Sequence, residues 1–358
     1  MMKGQTPSEL GYYMPPEWHP HHATWLTWPK DPLTWPNRIP QVENIYIRMM
    51  AALAPHEIVN LLVDDETTEQ IVKRRLQFPS AENVRFHQVR TVDSWIRDYG
   101  PNFLINEAGE LAYNDWIFNA WGNKYEELKK DDAIPADLER ALSIPRFEPH
   151  IVLEGGSIDV NGAGCVLTTE QCLLNPNRNP DLGRSQLEQY LKDYLGVVKV
   201  LWLGEGIVGD DTDGHIDDIA RFVSPEVIVC AIEEDPADAN YKLLEDNFRR
   251  LQLMTDAKGR KFEIIALPMP GVVAGASEGG SRNLERLPAS YTNFYVANGT
   301  VLVPIFGHNN DARALETIQN VFPGRQVMGI NCEPLVWGMG TIHCITQQQP
   351  RSSIHRLR

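Results

Sequence analysis

Apolar positions along the chain alternate with polar ones in short runs, shift to a three-to-four spacing, and return to short runs, and the succession recurs. Residues 157–169 form two strand-like runs around a turn, 186–194 carry apolar residues at helical spacing, and 197–202 form another strand. The same order appears as a hairpin over 219–232, a helix over 241–254 and a strand over 262–267. A third copy has a hairpin over 291–304, a helix over 312–321 and a strand over 326–330, with Asn298-Gly299 as a strong hairpin-turn signal. A fainter fourth hairpin covers 102–113. A fifth copy is split between the termini: a strand over 23–28, a helix over 42–54, a strand over 57–63, and a late strand over 340–346.

Units of this size cannot bury their own apolar faces and must pack on one another. The pattern predicts an α/β fold of repeated ββαβ-type units around a common axis, a closed α/β propeller. The hairpins argue against an all-parallel, doubly wound sheet. No low-complexity tract or Gly/Ser linker separates domains, so one domain over 1–358 is expected, with its core at about 14–350.

Composition narrows the function classes. The 358 residues are 42% hydrophobic with nine Trp, which excludes a disordered chain. With 33 Lys+Arg against 48 Asp+Glu, the net charge of −15 argues against nucleic acid or an anionic membrane and favours a small cationic ligand. No run approaches the roughly 18–20 apolar residues of a spanning helix, and the first residues lack a signal-peptide pattern, so a cytoplasmic location is expected. Five cysteines suit free thiols better than a disulfide framework. The sequence is compatible with a homo-oligomer and does not specify one.

Five segments carry candidate chemistry: Trp-Ile-Arg-Asp-Tyr-Gly-Pro at 95–101, Leu-Glu-Gly-Gly at 153–156, Asp-Thr-Asp-Gly-His-Ile-Asp-Asp at 211–218, Gly-Gly-Ser-Arg-Asn at 279–283, and Gly-Met-Gly-Thr-Ile-His-Cys at 338–344. Each singly is compatible with turn chemistry. His215 and Asp217 stand two apart and on a strand would share a face, a pairing suited to a metal or a cation. Zinc would require further ligands at usable spacing, and no His-x-x-x-His or Cys-x-x-Cys occurs, so the cation is favoured. Cys165, Cys172, Cys230 and Cys332 lie in apolar runs, as packing residues do. Cys344 follows a Gly-x-Gly loop and is expected to be accessible as a nucleophile, with His215 rather than the adjacent His343 as proton carrier.

These segments, with the opening Met-Pro-Pro-Glu-Trp-His-Pro-His-His at 14–22 and Ile-His-Cys-Ile-Thr-Gln-Gln at 342–348, resemble the agmatine deiminase family, which includes the bacterial peptidylarginine deiminases. The resemblance runs from about 14 to 350. It implies a fivefold pseudosymmetric α/β propeller and hydrolysis of agmatine to N-carbamoylputrescine and ammonia, in polyamine supply, without a metal or organic cofactor. It further implies Cys344 as nucleophile, His215 as acid/base, Glu154 as its partner, and Asp98 and Asp217 as guanidinium-holding carboxylates. Carboxylates suit that task because a guanidinium presents a planar fork of N–H donors. Trp28, Trp95 and Trp121 are candidates to flank the aliphatic linker or distal amine, and Asp210, Asp211 and Asp213 suit a dication. Two departures from the family pattern, Met339 and Thr341 in a stretch that usually resembles Gly-Gly-Gly-Asn, and Tyr99 where many relatives have Thr, leave the choice of guanidine less determined than the reaction. Arg97 and Arg282 are candidates for a substrate carboxylate, and 271–286 is the candidate lid. The other guanidine chemistries weighed are peptidyl-arginine or free arginine deimination, amidino transfer and dimethylarginine hydrolysis. A metallohydrolase and a non-catalytic guanidine- or polyamine-binding protein are the other classes.

Overall fold

The fold, a computed structural model, describes residues 4–276 and 284–352. Among these residues five mixed sheets repeat one order: a first strand antiparallel to a second, and the second parallel to a third. In the third unit the strands are Asp159–Val160, Cys165–Thr169 and Lys199–Leu203; in the fourth, Ala220–Ser224, Val227–Ile232 and Glu263–Pro268; in the fifth, Tyr295–Val296, Thr300–Ile305 and Gln326–Asn331. Parallel neighbours need a crossover. Here it is a helix, Arg184–Leu195, Tyr241–Leu253 or Asp311–Val321 respectively.

The first unit is assembled from both ends of the chain. His21–Thr27 pairs in parallel with Ile58–Val63 through the helix Ile39–Leu53, and antiparallel with Gln347–Pro350. Val84–Gln88 adds a further parallel strand. The second unit pairs Asn102–Asn106 with Leu111–Asn114, and the latter runs parallel to the short Arg146–Phe147. Short helical turns fill its crossover, which is why no single helical period marks it in the sequence.

Local sequence accounts for the long helices. Val42, Ile45, Tyr46, Met49, Met50 and Leu53 fall at three- and four-residue steps and are all buried. Leu187, Leu191 and Leu195 do the same, and that helix stops where Gly196 takes φ 66°. One expectation of strand fails at the chemistry. Residues 340–346 form a turn, and the last strand begins only at Gln347, because the glycine-rich approach folds back and Thr346 N–H bonds the His343 carbonyl at 3.1 Å. Ile216–Asp218 is a single 3-10 turn rather than strand. No helix among the described residues is long and apolar enough to cross a membrane.

Candidate active site

Each unit is entered through a short irregular segment just before its first strand, and these five segments carry the site. Asp98 lies in the turn Ile96–Tyr99 ahead of Asn102–Asn106, and Glu154 stands just before the turn Gly155–Ser157 that precedes Asp159–Val160. His215 and Asp217 precede Ala220–Ser224, Asn293 precedes Tyr295–Val296, and Cys344 precedes Gln347–Pro350. Sequence reasoning singled out the residues in four of these segments and missed Asn293, for which equivalence within the repeat is the available signal.

The carboxylates and the imidazole form one buried cluster. Asp98 Oδ1 accepts from Gly156 N–H at 2.9 Å and lies 3.8 Å from His215 Nδ1, while Oδ2 accepts from the Trp121 indole at 2.9 Å. Burial raises the Asp98 carboxyl above its ordinary range; His215 opposes that rise, while Asp217 and Glu154 add to it. Burial alone would discharge His215, but Asp98, then Cys172 and Glu154, hold its pKa well above the usual value. These neighbours favour its charged form. Its Nε2 has no hydrogen-bond partner among the described residues.

Glu154 Oε1 accepts from Arg178 Nε at 2.6 Å, with both side chains fully buried, and Oε2 has no partner among the described residues. Cys172 lies beside them, with its Sγ and one donor atom each of Glu154 and His215 within 4.8 Å of one another. The trio has metal-ligand chemistry, but the Arg178 guanidinium already supplies positive charge to Glu154. Arg178 stands in the polar run at 175–180, which alone reads as a loop. Removing one partner of a buried pair strands the other charge, so Arg178→Ala is expected to cost about 3–5 kcal/mol of stability. Urea unfolding checks this, and a loss below about 1 kcal/mol would show that Glu154 finds compensation elsewhere.

Cys344 is 7% exposed, less open than its glycine-rich approach suggests. Its sulfur receives a hydrogen bond from Asn293 Nδ2 at 3.2 Å and lies 3.9 Å from Asp217 Oδ2. Burial, then Asp217, Asp218 and Asp98, push the thiol pKa well above its ordinary value. The surroundings thus favour a neutral thiol at Cys344 and a charged imidazole at His215. His343 points elsewhere, to Asp217 and Glu17.

A cavity of about 490 Å³ reaches Asp98 and Cys344 and is lined by Trp95 and Trp121 among others, while His215, Asp217 and Glu154 are buried and not among its lining residues. Trp121 adopts left-handed angles (φ 52°, ψ 50°) within a run of positive φ from Ala120 to Asn123, strain that aims its indole at Asp98. Asp93, which sequence reasoning did not single out, accepts from Trp95 Nε1 at 2.9 Å and from the Thr34 hydroxyl at 2.6 Å, tying that indole to the outer wall. Trp28 is not among the lining residues: its ring packs on Tyr46, with Arg75 over its face. Of the three aspartates beside His215, Asp211 reaches the cavity, Asp210 caps its own loop, and Asp213 pairs with Arg178 and Lys124. None of the described residues of 271–286 lines the cavity, and Arg282 lies outside the described residues.

The family model of the Porphyromonas-type peptidyl-arginine deiminase matches residues 13–350. The chain belongs to that family. A Legionella pneumophila protein provisionally named an agmatine deiminase is 40% identical, spanning 100% of this chain and 99% of the relative. The solved agmatine deiminase of Enterococcus faecalis is 37% identical with a TM-score of 0.89, covering 98% of this chain and 99% of that one. A C. jejuni agmatine deiminase solved with substrate bound is 29% identical with a TM-score of 0.84, over 95% and 97% of the two chains.

Within this peptidyl-arginine deiminase family the two departures differ in consequence. Met339 takes φ 70° and lines the cavity beside Gly340, while the Thr341 hydroxyl donates to Asn293 Oδ1 at 2.6 Å and steadies the residue that touches the Cys344 sulfur. Tyr99 lies away from the cavity lining, its hydroxyl bonded to Thr27 at 2.8 Å and to the Asp93 carbonyl at 2.9 Å.

Proposed function

We propose that this chain hydrolyses agmatine to N-carbamoylputrescine and ammonia, supplying a putrescine precursor, and that it does so as one catalytic domain built as a fivefold pseudosymmetric propeller. The observation that carries the reading is the meeting of a thiol, an imidazole and two carboxylates from the entry segments of different units: Cys344 and Asp98 line one cavity, with Asp217 3.9 Å from the sulfur and His215 3.8 Å from Asp98. The five sheets of one strand order support the propeller.

In the proposed reaction Asp98 and Asp217 hold the guanidinium, whose charge lets the Cys344 thiol release its proton to solvent, and the resulting thiolate attacks the central carbon, forming a C–S bond as the C=N π bond opens. His215 gives its proton to the departing nitrogen, the C–N bond breaks, and ammonia leaves behind a thiouronium. Water, losing a proton to His215, then attacks the same carbon. Breaking the C–S bond releases the urea as the hydroxyl oxygen becomes its carbonyl, and the hydroxyl proton passes to the departing sulfur and restores the thiol.

The outer cavity favours an amine over a carboxylate at the substrate's far end. Asp31, Glu126, Glu127 and Asp211 line it, and no arginine does so among the described residues. Arg97 is buried against Gln348 and Glu17, and Lys124 is already paired with Asp211 and Asp213. Ammonia release from agmatine, arginine, dimethylarginine and a C-terminal-arginine peptide, measured side by side, tests the reading. Agmatine is expected to be preferred. Preference for arginine or the peptide would overturn the assignment of the outer cavity, and absence of turnover on all four would overturn deimination.

The raised Cys344 pKa carries a further expectation. Carboxylates around the sulfur disfavour its thiolate, and a bound cation offsets them. Inactivation by neutral iodoacetamide is expected to rise only at pH above the ordinary thiol range in the free enzyme. It is expected to accelerate near neutral pH when a small cationic amidine occupies the carboxylates without covering the sulfur. No acceleration at any pH would exclude ionisation assisted by the ligand.

A further inference from the structure

Directly before the nucleophile, His343 lies between two carboxylates. Its Nδ1 is 2.7 Å from Asp217 Oδ2 and its Nε2 is 2.7 Å from Glu17 Oε2, all three side chains being buried. Ionised carboxylate oxygens only accept, so an imidazole that bonds both must donate from both nitrogens and carry a positive charge. Glu17 is kept ionised: Arg221 Nη2 stands 2.9 Å and Arg97 Nη2 3.5 Å from its Oε2, and Arg221 and Arg97 together with His343 outweigh the burial that would otherwise neutralise it. Asp159 balances Arg221 from the far side at 3.3 Å. The backbone is fixed as well, because His343 N–H donates to Asn293 Oδ1 at 2.9 Å.

Asp217 is thus held through one oxygen, Oδ2, while Oδ1 is buried with no partner among the described residues. A lone buried acceptor awaits a donor. We propose that His343, braced by Glu17, is a positioning residue that locks Asp217 as an ionised carboxylate with one oxygen reserved for the guanidinium. The inference rests on the reading of Asp217 as a substrate carboxylate. It gives a role to two segments that the reaction itself leaves unused, the Pro-Pro-Glu-Trp stretch at 15–18 and the histidine preceding the nucleophile.

The charge balance sets the expected pH behaviour. Burial pushes the Asp217 carboxyl upward, and the His343 hydrogen bond and charge, followed by His215 and Arg221, reverse this and hold it below the usual range. Without His343 the carboxyl pKa rises, and the form able to accept from a guanidinium is lost at higher pH.

The test compares His343→Asn, which keeps an N–H toward Asp217 but neither the second donor nor the charge, with His343→Leu, which keeps none of them. Glu17→Gln is a third variant of preserved shape, and thermal unfolding establishes that each is folded. Agmatine affinity, measured by calorimetry in a Cys344→Ala background, is expected to fall about tenfold for Asn and about 100-fold for Leu, as expected for charge-assisted hydrogen bonds. The acid limb of kcat/KM in the Cys344 enzyme is expected to move to higher pH in the same order. Folded variants that bind within twofold of the parent, with an unmoved acid limb, would overturn the proposal. Weakened binding in the variants of a parent enzyme that turns over no guanidine would retain it and overturn deimination instead. Absence of agmatine binding in the parent would overturn both.

Discussion

Replacing Cys344 by alanine is expected to lower agmatine turnover by on the order of 10⁵-fold while leaving guanidinium binding largely intact, because the proposed nucleophile is lost but the carboxylates are not. The exchange removes one sulfur atom from the cavity floor. Asp98 keeps its bonds to Gly156 and Trp121, and Asp217 keeps its bond to His343, since neither depends on the thiol. No other cysteine lines the cavity among the described residues. Cys172 is the nearest in chemistry, beside His215, but it faces the buried Glu154 and Arg178. Single-turnover kinetics and calorimetry on the same preparation check both halves of the expectation. Residual turnover within tenfold of the parent would show that another group attacks the guanidinium, and lost binding would show that the thiol contributes to holding it.

A second large effect is expected from one methyl group. In Gly156→Ala the new Cβ would stand 2.6 Å from His215 Nδ1, 2.9 Å from Asp98 Oδ1 and 3.2 Å from Asp217 Oδ2. The backbone there is outside the left-handed region, so alanine meets a steric conflict rather than conformational strain. None of the three groups is free to yield: each is buried, and the two carboxylates are tied by hydrogen bonds to other elements. Overpacking is expected to cost about 1–3 kcal/mol of stability. The larger consequence is geometric, since displacing reacting groups by an ångström costs about 100-fold in rate, and here three are displaced together. A loss of kcat of at least about 100-fold is expected in a folded variant. Gly183→Ala is the control, its nearest neighbour being Gln186 Oε1 at 3.7 Å. A Gly156→Ala enzyme with kcat within threefold of the parent would mean that the imidazole and the carboxylates do not act as one rigid set.

How much of this was legible beforehand follows the range of the interactions concerned. Strands and helices made by local periodicity appear close to their expected bounds, as in Tyr241–Leu253 and Asp311–Val321, because burial of one face is written every second or every third to fourth residue. The second unit was faint because short helical turns stand where its crossover helix would be. The strand expected over 340–346 failed because a side chain of another unit, Asn293, captures the backbone of His343 and bends the chain. Trp28 was a reasonable candidate for the cavity by residue type alone, yet its ring packs into the core against Tyr46.

The sequence by itself determined the α/β repeat, the acidic balance suited to a cation, and the residue types of the proposed guanidine site, since periodicity, composition and motif order are properties of the chain. Only the tertiary structure decided which of those residues meet. It set Arg178 on Glu154, Asn293 on the Cys344 sulfur, and His343 between Asp217 and Glu17. These pairs are separated by 24 to 326 residues, and charge or hydrogen-bonding capacity at that separation has no local signature. The ionisation states depend on the same encounters, because burial and neighbouring charge act through space and not along the chain.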